Sequence, residues 1–89
     1  MKRIFKYPVP VTASLCIDLP KGATVLTVQT QRGQPQIWAI VDDAEPSERR
    51  LFYWFGTGHA LPEPLGAYVG SVQLDGETQI FHLFERAVT

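Results

Sequence analysis

The residue types best suited to binding chemistry lie together in the segment Gly56-Thr57-Gly58-His59, which follows an aromatic run and precedes a proline-spaced loop. Glycines let a chain approach a ligand closely and expose backbone N–H groups. Successive exposed N–H groups form an anion-binding nest, to which Thr57 and His59 would add donors. The segment therefore predicts a small site for a phosphate, a carboxylate or a peptide carbonyl. The alternative is a sharp structural turn, with His59 hydrogen-bonded to a backbone carbonyl.

Two residues of the preceding aromatic run could complete such a site. Arg50 shares strand parity with Phe52 and Trp54, so the three side chains are expected on one face. An arginine beside exposed aromatic rings can clamp a phosphate while a ring stacks on a base. The alternative is that Arg50 is a solvated residue at the start of a strand. The candidate ligand-binding residues are Arg50, Trp54, Gly56, Thr57, Gly58 and His59.

The remaining histidine, the cysteine and the paired aspartates point to structural roles. His82 shares parity with Ile80 and Phe84, which predicts a hydrogen-bonded histidine facing the core. Cys16 is the only cysteine, so no internal disulfide can form, and a buried thiol is expected. Two histidines and one cysteine fall short of a zinc site, and the adjacent Asp42-Asp43 pair suits a solvated loop. We therefore predict no metal and no cofactor.

Motifs that carry enzymatic or nucleotide-fold chemistry are missing. The chain has no Gly-x-Ser-x-Gly elbow, no dinucleotide fingerprint and no P-loop. Ser14, Ser47 and Ser71 have no histidine nearby in sequence, which leaves open whether the fold brings one into contact. We predict that the protein is not an enzyme. The competing hypothesis is a minor activity with His59 as base, which His59→Ala would test.

Length, charge and hydropathy bound the class of protein. A chain of 89 residues is predicted to form one domain over residues 1–89 with one modest core. Eight Lys and Arg against nine Asp and Glu give a net charge of -1, which argues against nucleic acid as a partner. Lys6, Pro8 and Pro10 interrupt the N-terminal apolar run, so we expect no signal peptide and no membrane association. With a single cysteine, the chain is expected to be cytoplasmic.

Strand signals dominate the elements that must position these residues. Short runs of β-branched and aromatic residues alternate with Gly, Pro and Asp, and no helical apolar stripe lasts three turns. The predicted fold is all-β, a small, mainly antiparallel sandwich or curled barrel of about six to seven strands. The predicted strands are Arg3–Val9, Thr12–Leu19, Thr24–Gln31, Gln36–Asp42, Arg49–Thr57, Ala67–Leu74 and Thr78–Arg86.

Two of these strands are apolar on both parities. The runs 37–41 and 51–55 are expected to bury both faces, in a sandwich, in a barrel or under a partner chain. In the strand 24–31, Leu26 and Val28 share one parity and are expected on the same face. The two strands nearest the C-terminus are predicted to pair antiparallel.

Turn residues predict the connections between strands. Asp75-Gly76 favours a type I′ hairpin, and Pro20 favours a type I turn through Gly22. Gly33 can supply a positive φ after Arg32. Residues 42–50 are expected to form a loop with one short helical turn, in which Pro46 takes a first helical position.

Four short motifs follow one another along the chain: Leu19-Pro20-Lys21-Gly22-Ala23, Trp38-Ala39-Ile40-Val41-Asp42, Phe55-Gly56-Thr57-Gly58-His59 and Phe81-His82-Leu83-Phe84-Glu85. This ordered set resembles a family of small uncharacterised proteins encoded by bacteriophages and prophages. The resemblance covers nearly the whole chain. It implies a non-virion accessory protein in the bacterial cytoplasm, and it brings no reaction, ligand or catalytic residue.

Two functional hypotheses follow. The first is a non-enzymatic accessory protein that binds a small anionic ligand or signalling nucleotide as a homo-oligomer. The second is a protein-interaction module that binds or inhibits a host or phage protein, for which a large exposed apolar patch is expected.

Overall fold

The protein, as a computed structural model that describes residues 1–74, 76 and 78–86, is built from β-strands joined by turns and short loops. The predicted all-β class is confirmed, and the third and sixth strands have the predicted bounds. The seven strands are β1 (Lys2–Pro8), β2 (Ser14–Pro20), β3 (Thr24–Gln31), β4 (Gln34–Asp42), β5 (Ser47–Gly56), β6 (Ala67–Leu74) and β7 (Gln79–Arg86).

The strands form two antiparallel sheets. Sheet A has three strands in the order β1-β4-β3, and sheet B has four in the order β2-β5-β7-β6. The thinnest extent of the chain is 16 Å, which suits two layers packed about 10 Å apart. The architecture is therefore sandwich-like rather than a closed barrel. Within the described residues, no helix is long and apolar enough to cross a membrane.

The core lies between the sheets and is built from alternate residues of the strands. Phe52 and Leu83 are the large buried side chains of β5 and β7, and Ile37 faces them from β4. Trp54 is also buried, and its indole Nε1 donates a hydrogen bond to the Val9 carbonyl at 3.2 Å. Burial of such side chains is the main term that stabilises a chain of this size.

The expectation that the runs 37–41 and 51–55 bury both faces was wrong. On β4, Ile37 and Val41 are buried, but Trp38 and Ile40 are only half-buried. On β5, likewise, Phe52 is buried and Tyr53 is only half-buried. Each run faces the core with one parity, while the other parity forms an outer sheet surface that neighbouring side chains cover in part.

A β-bulge changes the face of one apolar residue. The register of β3 with β4 shifts between Val25 and Thr27, so Leu26 falls out of the alternation. Leu26 is 46% exposed although Val28 is buried. The prediction that both lie on one face was therefore wrong, because a bulge adds a residue and reverses the parity that follows.

The turns follow the sequence in part. Arg32 and Gly33 both have positive φ, as a type I′ hairpin turn requires. Gly22 also has a positive φ, and the Ala23 amide donates to the Pro20 carbonyl at 3.1 Å. This geometry corrects the predicted type I turn to type II.

The connections between β6 and β7 and between β4 and β5 can also be compared with the predictions. The predicted pairing of β6 with β7 is confirmed. The type I′ turn predicted at Asp75-Gly76 involves Asp75, which lies outside the described residues. The short helical turn expected in residues 42–50 was wrong, because a turn at residues 43–44 leads directly into β5 at Ser47.

Asp42 and Asp43 form a charged cluster at the end of β4. Asp42 Oδ1 accepts hydrogen bonds from the Ala44 amide and the Met1 amino group, each at 3.1 Å. Asp43 accepts from Arg3 Nε at 2.5 Å and from the Met1 amino group at 3.1 Å. The Ala44 amide chiefly lowers the pKa of Asp42, and the Arg3 guanidinium chiefly lowers the pKa of Asp43.

Replacing Asp43 with asparagine is expected to reduce the acid sensitivity of folding. A carboxylate whose pKa is depressed in the folded state stabilises that state above its unfolded value of 3.8, and this contribution disappears as the pH falls through the folded pKa. Urea midpoints measured above and below that value should therefore change less for Asp43→Asn than for the parent protein. The control is Asp18→Asn, at an exposed site on β2. Equal acid sensitivity of Asp43→Asn and the parent would contradict this role.

Candidate functional site

A chain of hydrogen-bonded side chains crosses the outer face of sheet B. His82 Nδ1 is hydrogen-bonded to Ser71 Oγ at 2.6 Å, and His82 Nε2 to Thr57 Oγ1 at 2.9 Å. Ser71 Oγ is in turn hydrogen-bonded to the Tyr68 hydroxyl at 2.6 Å. The four residues come from β6, β7 and the turn after β5. The fold therefore answers the question that the sequence left open, because it brings Ser71 against a histidine.

A bulge in β6 makes this chain possible. Tyr68 lies opposite Phe84 and Ser71 lies opposite His82, with a register shift between Tyr68 and Gly70. Residues three apart in a regular strand point to opposite faces of the sheet. The extra residue of the bulge lets Tyr68 and Ser71 both point to the outer face. The sequence analysis missed Tyr68 and Ser71 as site residues. The signal that could have found them is Gly70, because a glycine inside a strand often marks a bulge.

Aromatic rings continue this surface. The Phe84 ring centroid is 5.3 Å from that of Tyr68 and 5.8 Å from that of Phe55, and the Phe55 ring stacks 6.3 Å from Tyr53. Tyr68 is 60% exposed, and the other three are half-buried. These four residues, here called the aromatic row, present ring faces and edges beside the hydroxyl–imidazole chain.

The glycine turn lies at one end of the row, and its backbone amides are largely engaged. The Gly56 amide donates to His59 Nδ1 at 3.3 Å, and the His59 amide donates to the Gly56 carbonyl at 3.1 Å. The Thr57 amide donates to the Ile80 carbonyl at 3.3 Å. An anion nest needs successive unpaired amides, so this conformation does not provide the predicted nest. His59 caps the turn through its own ring.

Two shallow clefts flank the His59 ring. One has a volume of about 290 Å³, contains Thr57 and His82, and is otherwise lined mainly by Phe55, Phe84 and Leu61. The other, of about 310 Å³, lies against Trp54 and also touches Gly56 and His59. Gly56 separates them, and a Cβ at this position would lie 2.8 Å from His59 Cε1. The ring can cover the strand end only because residue 56 is a glycine.

The structure brings four of the six predicted ligand residues together and separates the other two. Residues 56–59 line the cleft that contains His82. Trp54 is buried and borders only the second cleft, so its ring does not form an exposed stacking surface. Arg50 faces inward, where its guanidinium pairs with the Glu85 carboxylate and donates to the Ala23 carbonyl at 2.7 Å. It does not reach the turn.

Two other arginines lie on the outer face of sheet B instead. Arg49 has the parity of Tyr53 and Phe55, and Arg86 lies opposite Leu51, two residues beyond Phe84. Within residues 1–74, 76 and 78–86, neither is in an ion pair. Along their strands, Arg86 lies two residues, about 7 Å, beyond Phe84, and Arg49 lies four residues, about 13 Å, before Tyr53. Cationic groups therefore lie within a small molecule's length of the aromatic row.

Two structural roles predicted from the sequence were wrong. His82 is not a core histidine, because its parity belongs to the outer face and the neighbouring Leu83 fills the core. The hydrogen bonds expected of it are present, but they join surface hydroxyls. Cys16 is exposed on β2 rather than buried, because the inward parity of that strand belongs to Ile17 and Leu19.

The arrangement is chemically suited to recognising a polar group beside a ring. Hydroxyl and imidazole groups can each donate or accept a hydrogen bond, and the rings around them exclude water in part. In hydrolytic triads, the histidine nitrogen that faces away from the serine is hydrogen-bonded to an amide or a carboxylate. In this protein, that nitrogen of His82 is hydrogen-bonded to the Thr57 hydroxyl instead. Across the described part of the chain, no group of three His, Cys, Asp or Glu side chains converges to hold a metal ion.

Comparisons with known proteins give one match. No curated protein and no solved structure matches the chain. The profile of one family, described as a domain of unknown function (DUF7352), matches residues 1–89. This agrees with the coarser part of the resemblance seen in the sequence, a family without an assigned activity, and gives no source for the protein. The chain belongs to the DUF7352 family.

Proposed function

We propose that this protein is a non-enzymatic binding protein whose ligand is a small anion with a planar ring, of the nucleotide class. The observation that carries the proposal is the aromatic row beside the Thr57–His82–Ser71–Tyr68 chain, which adjoins a cleft of about 290 Å³. In line with the resemblance stated above, the protein would act as a phage-type accessory protein in the bacterial cytoplasm.

The ring of the ligand would stack on Tyr68, while Phe84, whose ring is tilted by 59° to that of Tyr68, would contact the ligand ring at its edge. Tyr68 is the most exposed member of the row, and its hydroxyl is already held by Ser71, which restrains the ring. A restrained aromatic ring loses little entropy when a ligand stacks on it, and stacking contributes about 1–3 kcal/mol per base. The hydroxyl–imidazole chain would hydrogen-bond to the edge of the ligand ring.

The anionic group of the ligand would bind Arg86 and Arg49. Neither guanidinium is within ion-pair distance of a carboxylate in the described residues, although Asp18 lies opposite Arg49 in the pairing of β2 with β5. This assignment replaces Arg50, whose charge is paired with Glu85. Since the whole chain carries a net charge of -1, two local cations suit a small anion better than a polyanion.

A second function, a protein-interaction module, is favoured by the outer face of sheet A. Ile4 is 59% exposed, and it lies opposite the half-buried Ile40. Leu26 and Trp38 extend the apolar surface on the same sheet. A host or phage protein with an apolar patch would bind there, and self-association of this chain is proposed alongside either function.

Replacing Tyr68 with alanine is expected to weaken ligand binding about tenfold or more, because a stacking surface is lost. Native mass spectrometry of protein purified from bacterial extract should detect a bound small anion. Thermal shifts should then be larger with nucleoside monophosphates or cyclic dinucleotides than with phosphate or nucleoside alone. Arg86→Gln should reduce the difference in thermal shift between nucleotide and nucleoside, because one of the two proposed anion-binding cations is lost.

The matched control is Ile4→Ala, which removes an equally exposed apolar side chain from the other sheet. It should leave nucleotide shifts unchanged. An extract-purified protein without a small ligand, combined with no shift by any nucleotide, would reject the proposal. A stoichiometric protein partner lost in Ile4→Ala would favour the second function.

A further inference from the structure

The four free sheet edges of the sandwich differ in their composition. The edge strand β1 contains Lys2, Arg3, Lys6 and Pro8, and the edge strand β2 contains Asp18 and ends at Pro20. The other two edge strands, β3 and β6, contain no charged residue and no proline over eight residues each. Charges and prolines at an edge prevent another strand from pairing with it. Two edges are therefore guarded and two are not.

The two unguarded edges lie on the same side of the sandwich. β3 and β6 approach each other at Gly70, where an added Cβ would lie 2.8 Å from Val28 Cγ1. A groove of about 470 Å³ opens between them, lined by residues 28–30 of β3, residues 71–73 of β6, and Ile80. The guarded strands β1 and β2 are the opposite ends of the two sheets.

The groove is placed where both strands are regular. Bulges protect an edge by twisting it away, and β3 and β6 each have one. These bulges lie at residues 25–27 and 68–70, before the segments that line the groove. Among the described residues, the backbone–backbone hydrogen bonds of residues 28–30 and 71–73 all lie in the ladders with β4 and β7. The Val28 carbonyl also accepts a hydrogen bond from Thr27 Oγ1 at 3.5 Å. Unpaired N–H and C=O groups therefore remain along the groove.

We propose that this groove is a self-association site, in which β6 of one protomer pairs antiparallel with β6 of a second copy. In antiparallel pairing about a two-fold axis, residue i of one copy faces residue j of the other, and residue j faces residue i. No residue of β6 is charged, so no charge repulsion opposes this pairing. Gln29, Thr30 and Gln73 add amides and a hydroxyl that can bond across the axis. The net charge of -1 per chain opposes association only weakly.

The charges and prolines on the edge strands β1 and β2 limit the assembly to two copies, because they prevent strand pairing on that side of the sandwich. An unguarded edge on both sides of a sheet would allow strand addition without end, and hence fibres. Here pairing through β6 uses the unguarded side, and β1 and β2 present charges and prolines at the other. The assembly therefore closes as a two-fold dimer. This inference specifies a surface for self-association and does not depend on the ligand proposed for sheet B.

Sedimentation and light scattering of the full chain test the proposal. The parent protein is expected to have twice the mass of the 10.0 kDa chain and to dissociate on dilution. Gln73→Lys and, separately, Thr30→Lys should weaken the dimer about tenfold or more, because a lysine at a strand edge disfavours the approach of a second strand. Both side chains are exposed, so circular dichroism should show an unchanged fold.

The control is Ser14→Lys, at an exposed position of the guarded strand β2. It should leave the dimer unchanged. A parent protein that stays monomeric at millimolar concentration would overturn the proposal, as would a dimer that neither groove variant weakens. A monomer that instead captures an uncharged extended peptide in the groove would replace the second copy with another strand donor, and would also overturn it. Tyr68 and Ser71 of β6 also belong to the proposed ligand site. Thr30 and Gln73 do not, so both groove variants should keep the nucleotide shifts even where the dimer is weakened, and the two proposals fail separately.

Discussion

Replacing Gly66 with alanine is expected to destabilise the fold more than any other single methyl addition at the glycines of the described residues. Gly66 has a φ of +91°, which costs an L-residue about 1–2 kcal/mol. Its Cβ would also overlap the backbone carbonyl oxygen of Glu85 and lie 3.2 Å from the Arg86 Cα. Glu85 cannot move aside easily, because it lies in β7 between β5 and β6. We expect a loss of about 4 kcal/mol in the free energy of unfolding.

The matched control for this prediction is Gly22→Ala. Gly22 has a similar φ of +80°, but nothing lies within 4 Å of an added Cβ. The control should therefore lose only the conformational part, about 1–2 kcal/mol. Thermal unfolding followed by circular dichroism should separate the variants, with Tm falling by about 15 °C or more for Gly66→Ala. Equal losses in the two variants would show that the overlap with Glu85 is relieved at no cost.

Replacing Arg50 with methionine is expected to cost about 2–3 kcal/mol of stability. The Arg50 guanidinium donates to Glu85 Oε1 at 2.8 Å and also bonds Oε2, and the two side chains are only 16% and 19% exposed. A third bond reaches the Ala23 carbonyl at 2.7 Å. Glu85 raises the pKa of Arg50, as a carboxylate beside a guanidinium must. Methionine keeps most of the apolar volume but leaves a shielded carboxylate unpaired.

A double-mutant cycle measures this pair. Arg50→Met with Glu85→Met should be more stable than Arg50→Met alone, because the unpaired charge is then removed as well. Urea denaturation at neutral pH supplies the four free energies. Arg49→Met is the control, since Arg49 lies next in sequence but faces outward without an ion pair within the described residues. A control loss equal to that of Arg50→Met would mean that the Glu85 contact contributes nothing.

Strand positions could be predicted from the sequence because local signals agreed with the fold. In β3 and β6, β-branched and aromatic residues are bounded by glycines or turn residues on both sides, and both ends were predicted to the residue. The turn of residues 42–46 was assigned a helical character because Pro46 suits a first helical position. The strand β5 begins at Ser47 instead, since its pairing with β2 extends to Pro20. Pairing with β2 therefore set the start of β5, and the local helical preference of Pro46 did not.

The faces of the strands were harder to predict than their positions. β5 is apolar on both parities, so its sequence does not say whether Trp54 or Phe55 points inward. Packing against β4 selected Phe52 and Trp54 for the core, and this choice turned Arg50 inward with them. Where a bulge interrupts a strand, as near Leu26 and Tyr68, parity cannot be carried across it. Of the residues predicted to bind a ligand, residues 56–59 therefore lie together in one cleft, whereas Arg50 and Trp54 point inward, away from it.

The Thr57–His82–Ser71–Tyr68 chain has a direction. A neutral imidazole donates through one nitrogen and accepts through the other, so all the hydroxyl protons along the chain must align in one sense. If Nδ1 carries the proton, Ser71 donates onward and the Tyr68 hydroxyl points its hydrogen outward, while Thr57 offers only lone pairs at its end. With the proton on Nε2 instead, Tyr68 donates to Ser71 and Ser71 donates to Nδ1. Thr57 then accepts from Nε2 and donates to the Ile80 carbonyl at 3.5 Å. A molecule bound at the Tyr68 end would therefore meet a hydroxyl donor in one tautomer and an acceptor in the other, and its own hydrogen-bonding groups would select the tautomer of His82.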